Sequence, residues 1–294
     1  MSHEPKKNLV VVRVGRNSLH PAWLAGETDR NWDLIVSAYD SAAKFEEAPG
    51  VSAVLQPGGK WDGLHALFEG SDLLSRYEYI WLPDDDIATT CEDINAIFDS
   101  MRRYNLEVAQ PALTWKSYFS HFLFMQCPGF ELRYTNSVEI MVPCLHSGLL
   151  AQVLDDFRDS QSGFGMDTIW TRLSADPRYK AAILDSVAVH HTRPVGKVLR
   201  GNMAGRGATP EEERGKLEAR YNVRERILPL IYAAIESNGA RREGCVSLGF
   251  AMAWRYLKVF NRFRQRAKAA EKILQIVRRQ LRKRLNPDPL RRML

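Results

Sequence analysis

Cysteine is scarce in this chain and nowhere clustered. Cys91, Cys127, Cys144 and Cys245 are far apart and form no Cys-x-x-Cys. That spacing argues against a structural zinc site or a disulfide framework, and it fits a reducing compartment. Long apolar runs are also missing, and no stretch approaches the ~20 residues of a membrane-spanning helix. The start, Met1-Ser2-His3-Glu4-Pro5-Lys6-Lys7, is polar and lacks the apolar core of a signal peptide. A cytoplasmic protein is expected. Acidic residues are nearly absent from the other end. Residues 254–294 hold 14 Lys/Arg against only Glu271 and Asp288, a net of +12. The remaining 253 residues hold 27 basic and 33 acidic side chains, a net of −6. An acidic body carries a strongly basic tail, which points to an anionic partner surface, lipid or nucleic acid.

What is present is an alternation of strand and helix signals. The 294 residues, 45% of them hydrophobic, suffice for one large α/β domain plus an extension, or for two small domains. Leu9–Val14, Trp32–Tyr39 and Val51–Leu55 read as buried strands. A helix fits Asp62 to Leu74, and Tyr77–Leu82 is a further strand. Ile94, Ile97, Phe98 and Met101 recur at helical spacing, and Val108-Ala109-Gln110-Pro111 is extended. This alternation predicts a mostly parallel sheet covered by helices. Such sheets bind ligands beyond the carboxyl ends of their strands. Asp40, Lys60 and Asp84–Asp86 all fall at or just after such ends.

Asp84-Asp85-Asp86 is the most informative group. Three adjacent carboxylates repel one another unless a cation neutralises them. Oxygen ligands favour Mg²⁺ or Mn²⁺, and Mg²⁺ usually shares its shell with substrate phosphates. The competing reading is a solvated acidic turn that caps the next helix. Three later segments bring further polar groups. Glu139 interrupts the apolar run Ser137–Val142, which reads as a strand. Gly163-Phe164-Gly165-Met166-Asp167 allows a tight approach before a helix. Ile183–Val189 is a strand ending in His190 and His191, followed by a cationic loop with Arg193, Lys197 and Arg200.

In this order, these segments resemble glycosyltransferases of the GT-A fold. They resemble more closely a plant and bacterial family of unknown chemistry, labelled lysine-ketoglutarate-reductase trans-splicing-related. The matching blocks are Tyr79–Asp86, Gln110–Leu113, Ser137–Met141, Gly165–Asp167, and Asp185-Ser186 through His190 to Pro194 and Gly196. They span roughly residues 8–200. Asp85 stands where Glu is expected, and Phe164 where Trp is usual. The tail lies outside the resemblance.

The resemblance implies a GT-A-like catalytic domain over residues 1–205. It implies transfer of a sugar from a nucleotide-diphosphate donor to a glycan or glycolipid acceptor, with Mn²⁺ or Mg²⁺. Asp84, Asp86 and His190 are the expected metal ligands, with His191 a neighbour. A cation with Lys/Arg can stabilise the departing diphosphate. Asp167 is the candidate base of an inverting transfer, with a helix N-cap as its rival role. Glu139 would orient the acceptor or join a buried ion pair. Arg13, Asp40, Lys60, Asp84, Asp85, Arg193 and Lys197 are the candidate donor contacts. For Arg13, Asp40 and Lys60 a purely structural role is an equal alternative. Trp115, Tyr118 and Phe119 could form a sugar-stacking platform. The competitor from another class is a catalytically inactive GT-A-like module that binds glycans or scaffolds an assembly.

Residues 206–294 read as a helical extension. Thr209-Pro210-Glu211-Glu212-Glu213 is a helix start. Asn222–Ser237 suggests a helix closed by Asn238-Gly239. A long helix after Gly249 carries a heptad seam: Ala253, Tyr256, Phe260, Phe263, Ala267, Ala270, Leu274, Val277 and Leu281. The seam fits a membrane interface best, on the inner face of an anionic membrane where surface polysaccharide is assembled. Packing on the body comes second, and oligomerisation as a coiled coil third. The body shows no basic face, so no nucleic-acid partner is expected.

Overall fold

The computed structural model describes residues 6–26, 28–41, 43, 48–173, 177–195, 209–223, 227–282 and 288–292. One mixed sheet dominates it, as the alternation predicts. Its strands are β1 (Asn8–Val14), β2 (Trp32–Ala38), β3 (Val51–Leu55), β4 (Tyr79–Trp81), β5 (Ile87–Ala88), β6 (Val108–Leu113), β7 (Phe130–Thr135), β8 (Cys144–His146), β9 (Ala181–His191), β10 (Ile231–Glu236) and β11 (Arg241–Glu243). The spatial order is β11-β10-β7-β9-β6-β8-β4-β1-β2-β3, with β5 paired to β9 off this path. β1 pairs in parallel with β2 and β4, β2 with β3, and β6 with β9. Through antiparallel β8, strands β6 and β9 run the same way as β4. Only β7, β8 and β11 of the main sheet oppose that direction.

Helices cover both faces because successive strand residues alternate sides. On β1, Val10, Val12 and Val14 enter one core with Ile94, Ile97, Phe98 and Met101 of α3 (Cys91–Arg103). Leu9 and Val11 enter the other, beneath α1 (Lys60–Phe68) and α4 (Ser147–Arg158). The local signals of α3 agree with its position. Thr90 accepts from the Asp93 N–H, Glu92 and Asp93 lie in the first turn, and Arg102 and Arg103 in the last.

Several expectations are corrected. The helix expected over Asp62–Leu74 is two, α1 and α2 (Leu73–Arg76), separated where Gly70 takes φ +69°. Ser137–Val142 is not a strand. Its backbone serves other elements instead: Val138 N–H donates to Asp167 O, Glu139 N–H to Gln110 Oε1, and Met141 O accepts from Asp84 N–H. The helix expected over Asn222–Ser237 is corrected: Ile231–Glu236 is β10, hydrogen-bonded between β7 and β11. Asn238-Gly239 turns that hairpin, with Gly239 at φ +84°.

The expected helical extension therefore also supplies two strands to the sheet. Among the described residues its α-helices are α6 (Pro210–Arg220), capped by Thr209 and Glu212 in a capping box, α7 (Cys245–Lys258) and α8 (Arg266–Arg282). The single long seam helix is broken between α7 and α8. Tyr256 and Phe263 are buried in the chain's own core, whereas Ala267, Ala270, Leu274 and Leu281 are exposed. The stripe of α8 that packs inward is Ala269, Ile273, Ile276 and Gln280. The 205/206 boundary lies outside the described residues.

A buried ion pair fixes the strand that feeds the site. Arg133 on β7 donates from Nε to Asp185 Oδ2 at 2.6 Å and from Nη2 to Oδ1 at 2.9 Å. The guanidinium also donates to Leu123 O, Met125 O and the Tyr256 hydroxyl. Asp185 sits where the β6–β9 register jumps, from Pro111↔Leu184 to Ala112↔Ala188. The bulge at residues 185–187 is thus tied to β7 and α7.

Candidate metal and donor site

The sheet delivers its functional side chains at the carboxyl ends of β1, β2, β4 and β9, as expected for an open α/β sheet. Asp84–Asp86 follow β4. One ligand atom each from Asp84, Asp86 and His191 lies within 4.8 Å of the others. His191 Nε2 is 3.2 Å from Asp86 Oδ2, and its Nδ1 is 3.0 Å from Tyr118 O. The structure therefore brings His191, and not His190, to the carboxylates. On β9 the charges of Arg264 and Lys116 act on His190, whose pKa is lowered by burial first and by His191 and those cations next. Burial alone would lower the pKa of His191 too, but the hydrogen bond and charge of Asp86 outweigh it and the net shift is upward.

The donor set fits a divalent cation. Asp86 Oδ1 is buried and has no hydrogen-bond partner among the described residues. A buried carboxylate oxygen left unpaired is costly unless something positive meets it. Burial raises the pKa of Asp84, and the Lys60 ammonium opposes the shift. Lys60, at the start of α1, donates to Asp84 Oδ1 at 2.6 Å and to Ile140 O at 2.8 Å.

Two further carboxylates belong to the same site. Glu139 is buried, and its pKa is pushed up to about 7 by burial, opposed by a hydrogen bond from Ser120. The charges of Asp167, His191 and Asp84 also act on it. The Ser120 hydroxyl donates to Glu139 Oε2, and Ile140 N–H to Oε1. Asp167 lies in the first turn of α5 (Met166–Ile169), whose N-cap is Gly165, so the capping role falls to Gly165. Gly163 and Gly165 take φ +73° and +96°, a backbone that L side chains rarely adopt. A Cβ on Gly163 would meet the Trp61 indole at 2.3 Å. Burial pushes the Asp167 pKa up to about 6, opposed by the Ser137 hydroxyl that donates to Oδ2 at 3.2 Å.

The other expected donor contacts are placed differently. Asp85 accepts from Gly15 N–H at 3.0 Å and from Arg193 Nη1 at 3.1 Å, and Tyr39 Oη is 3.4 Å from Oδ2. Asp85 and Arg193 thus hold the loop after β1 and each other. Arg13 is buried and donates to Ser37 Oγ, Gly58 O and Gly59 O, which fixes the turn before Lys60. Asp40 sits partly exposed just after β2. Lys197 lies outside the described residues.

The aromatic loop after β6 carries cations on its rings. Arg262 lies over Trp115 at 4.9 Å, Arg264 over Tyr118 at 4.0 Å and Lys268 over Phe119 at 4.6 Å. These rings bind the basic segment of the chain itself. The site residues that motif reading missed are His191, Ser120 and Ser137. Ser137 and His191 stand inside motif blocks and so carry a sequence signal; Ser120 does not.

No protein-family model and no curated protein matches the chain, so the family label suggested by the motifs is not confirmed. Among solved structures, residues 1–349 of S. aureus TarS in complex with UDP-GlcNAc align at a TM-score of 0.44 and 11% identity, covering 94% of this chain and 72% of that one. The same protein without ligand gives 0.43 and 12%, and its complex with UDP 0.44 and 11%, each covering 93% of this chain and 90% of that one. At this identity no residue correspondence is drawn.

Proposed function

We propose that this chain is a GT-A-like glycosyltransferase that moves a sugar from a nucleotide-diphosphate donor to a hydroxyl of a glycan or glycolipid acceptor. The observation that carries this reading is the convergence of Asp84, Asp86 and His191, at the carboxyl ends of β4 and β9, with Lys60, Glu139 and Asp167. Asp84, Asp86 and His191 would hold Mn²⁺ or Mg²⁺, which when bound supplies positive charge to the donor diphosphate. Lys60 would turn from Asp84 to the diphosphate as the donor enters. Asp167, whose raised pKa suits a base near neutral pH, would take the proton of the acceptor hydroxyl. The acceptor oxygen then bonds to the anomeric carbon as the bond to the diphosphate breaks, with inversion. Glu139, held by Ser120, would orient the acceptor. The reading places the enzyme at the cytoplasmic membrane face, in assembly of a surface polysaccharide.

The test is a panel of nucleotide sugars incubated with the protein, with and without Mn²⁺, followed by assay of released nucleoside diphosphate. Metal-dependent release from one donor, faster with a saccharide acceptor, is expected. Absence of both release and donor binding across the panel would favour the inactive glycan-binding module.

A further inference from the structure

Nine large apolar side chains are exposed among the described residues, and six of them lie on the α7–α8 hairpin. Val246, Phe250, Trp254 and Leu257 on α7, with Leu274 and Leu281 on α8, are 47–63% exposed. Soluble surfaces scatter such residues singly, and a cluster marks an interaction site. The spacing of the four on α7 is i, i+4, i+8 and i+11, a single helical face. It lies opposite Leu248, Met252 and Tyr256, which face the core. A Cβ on Gly249 would meet Gln280 Cβ at 2.8 Å and Val277 Cα at 3.9 Å. The early turns of α7 therefore lie beside the last turns of α8, and the helices are antiparallel. Leu274 and Leu281 flank Val277 on the side of α8 that adjoins α7. The two stripes thus share the outer surface of one hairpin.

Charge narrows the partner. Residues 245–282 hold ten Lys/Arg and a single acid, Glu271. Arg255 pairs with Glu236, and Arg262, Arg264 and Lys268 stack on rings of the body, while Lys258, Arg278 and Arg282 are among the rest. Lys258 lies over the Trp254 ring at 5.4 Å, beside the apolar stripe. Two copies meeting through this face would bring like charges together. Nucleic acid would meet the cations and has rings to stack on at Phe250 and Trp254, but it would leave the aliphatic majority of the face, Val246, Leu257, Leu274 and Leu281, in water. An anionic lipid surface satisfies both features, apolar side chains in the acyl boundary and cations at the headgroups.

We infer that the outer face of the α7–α8 hairpin docks on an anionic membrane. Of the heptad seam, Leu274 and Leu281 belong to this face; the four side chains on α7 lie outside the seam. It does not depend on the reaction performed at the site. The docked hairpin also reaches the site: Arg264 N–H donates to Trp115 O, Arg264 stacks on Tyr118, and Tyr118 O faces His191 Nδ1. Docking thereby brings the loop beside the candidate site to a lipid-borne acceptor.

The experiment sediments the full chain with phosphatidylcholine vesicles, with and without phosphatidylglycerol. Phe250→Ser/Trp254→Ser/Leu257→Ser and Arg278→Glu/Arg282→Glu are run alongside. The wild type should bind the anionic vesicles at least about tenfold more tightly, less so in high salt. The triple-serine variant should lose about tenfold or more of that binding with a melting temperature close to that of the wild type, because the replaced side chains are more than half exposed and lie outside the core. The double-glutamate variant should lose the preference for anionic lipid. A wild type that ignores both vesicle types, or a triple-serine variant that sediments like the wild type, overturns the inference. So does a wild-type dimer, seen by light scattering without vesicle binding, that the triple-serine variant converts to monomer. Donor binding measured without vesicles reports on the site separately.

Discussion

Replacing His191 by Ala, with His190→Ala as its control, separates two adjacent residues of one strand. In the metal-free protein His191 Nε2 sits 3.2 Å from Asp86 Oδ2 in a buried setting. Hydrogen bonds to charged groups contribute about 1.5–3 kcal/mol. Removing the imidazole takes that donor from Asp86 Oδ2, so His191→Ala should destabilise the fold by about that amount. The effect has a pH signature. The folded pKa of His191 is raised above its usual 6.5, so its added stability is fully present below pH 6.5 and is lost as pH rises through the folded value. Denaturant midpoints for wild type and variant should therefore lie further apart at pH 6 than at pH 8.5. His190 faces Lys116 and Arg264, so His190→Ala should move the midpoint by less than about 0.5 kcal/mol, as for most surface changes. Manganese binding, read by electron paramagnetic resonance, should weaken by about 100-fold or more in His191→Ala, since even outer partners of a ligand carry about 10–100-fold. The reasoning is refuted if His190→Ala weakens Mn²⁺ binding and His191→Ala does not.

Asp167→Asn should lower turnover by about 10²–10⁴-fold with donor affinity nearly unchanged, measured by steady-state kinetics and calorimetry; near-normal turnover would remove Asp167 as the base. Glu139 is penalised when charged, because its pKa of about 7 exceeds the usual 4.5. The metal-free protein should therefore lose about 3 kcal/mol from this group as pH rises from 4.5 to 7, and Glu139→Gln should flatten that slope and melt higher at pH 8. A Glu139→Gln slope equal to wild type would contradict the burial argument. Arg133→Ala strands a buried Asp185 carboxylate and should cost about 3–5 kcal/mol by chemical denaturation. A loss under about 1 kcal/mol would mean that Asp185 is not held by this pair.

The strands are legible because buried parallel strands read as continuous apolar runs, and Asp84, Asp86 and Lys60 are candidates because they follow strand ends. Glu139 and Asp167 are candidates through the motif resemblance, Glu139 from a segment that reads as a strand and is none. The choice between His190 and His191 was not legible. Side-chain alternation along β9 cannot be projected past the bulge at residues 185–187, where the register against β6 jumps by three residues. The Arg133 that holds this bulge is 52 residues from Asp185 in sequence, so no local pattern announces the pair. Ile231–Glu236 was misread because a short apolar run fits helix and strand alike until its partners are known. Here the partners are β7 and the β11 arm of an Asn-Gly hairpin. Arg13, Asp85 and Arg193 are polar residues at strand ends, like true ligand contacts, yet their bonds go to the chain itself.

The central claim is that Asp84, Asp86 and His191 form a cation site that holds a donor diphosphate. Titration calorimetry of uridine and guanosine diphosphates with and without Mn²⁺, on the wild type and on Asp86→Asn, tests it most directly. The account predicts that at least one nucleotide binds the wild type only with Mn²⁺. It predicts no such binding by Asp86→Asn, with retention of the fold checked by circular dichroism. Equal Mn²⁺-dependent affinity in the two proteins would contradict it.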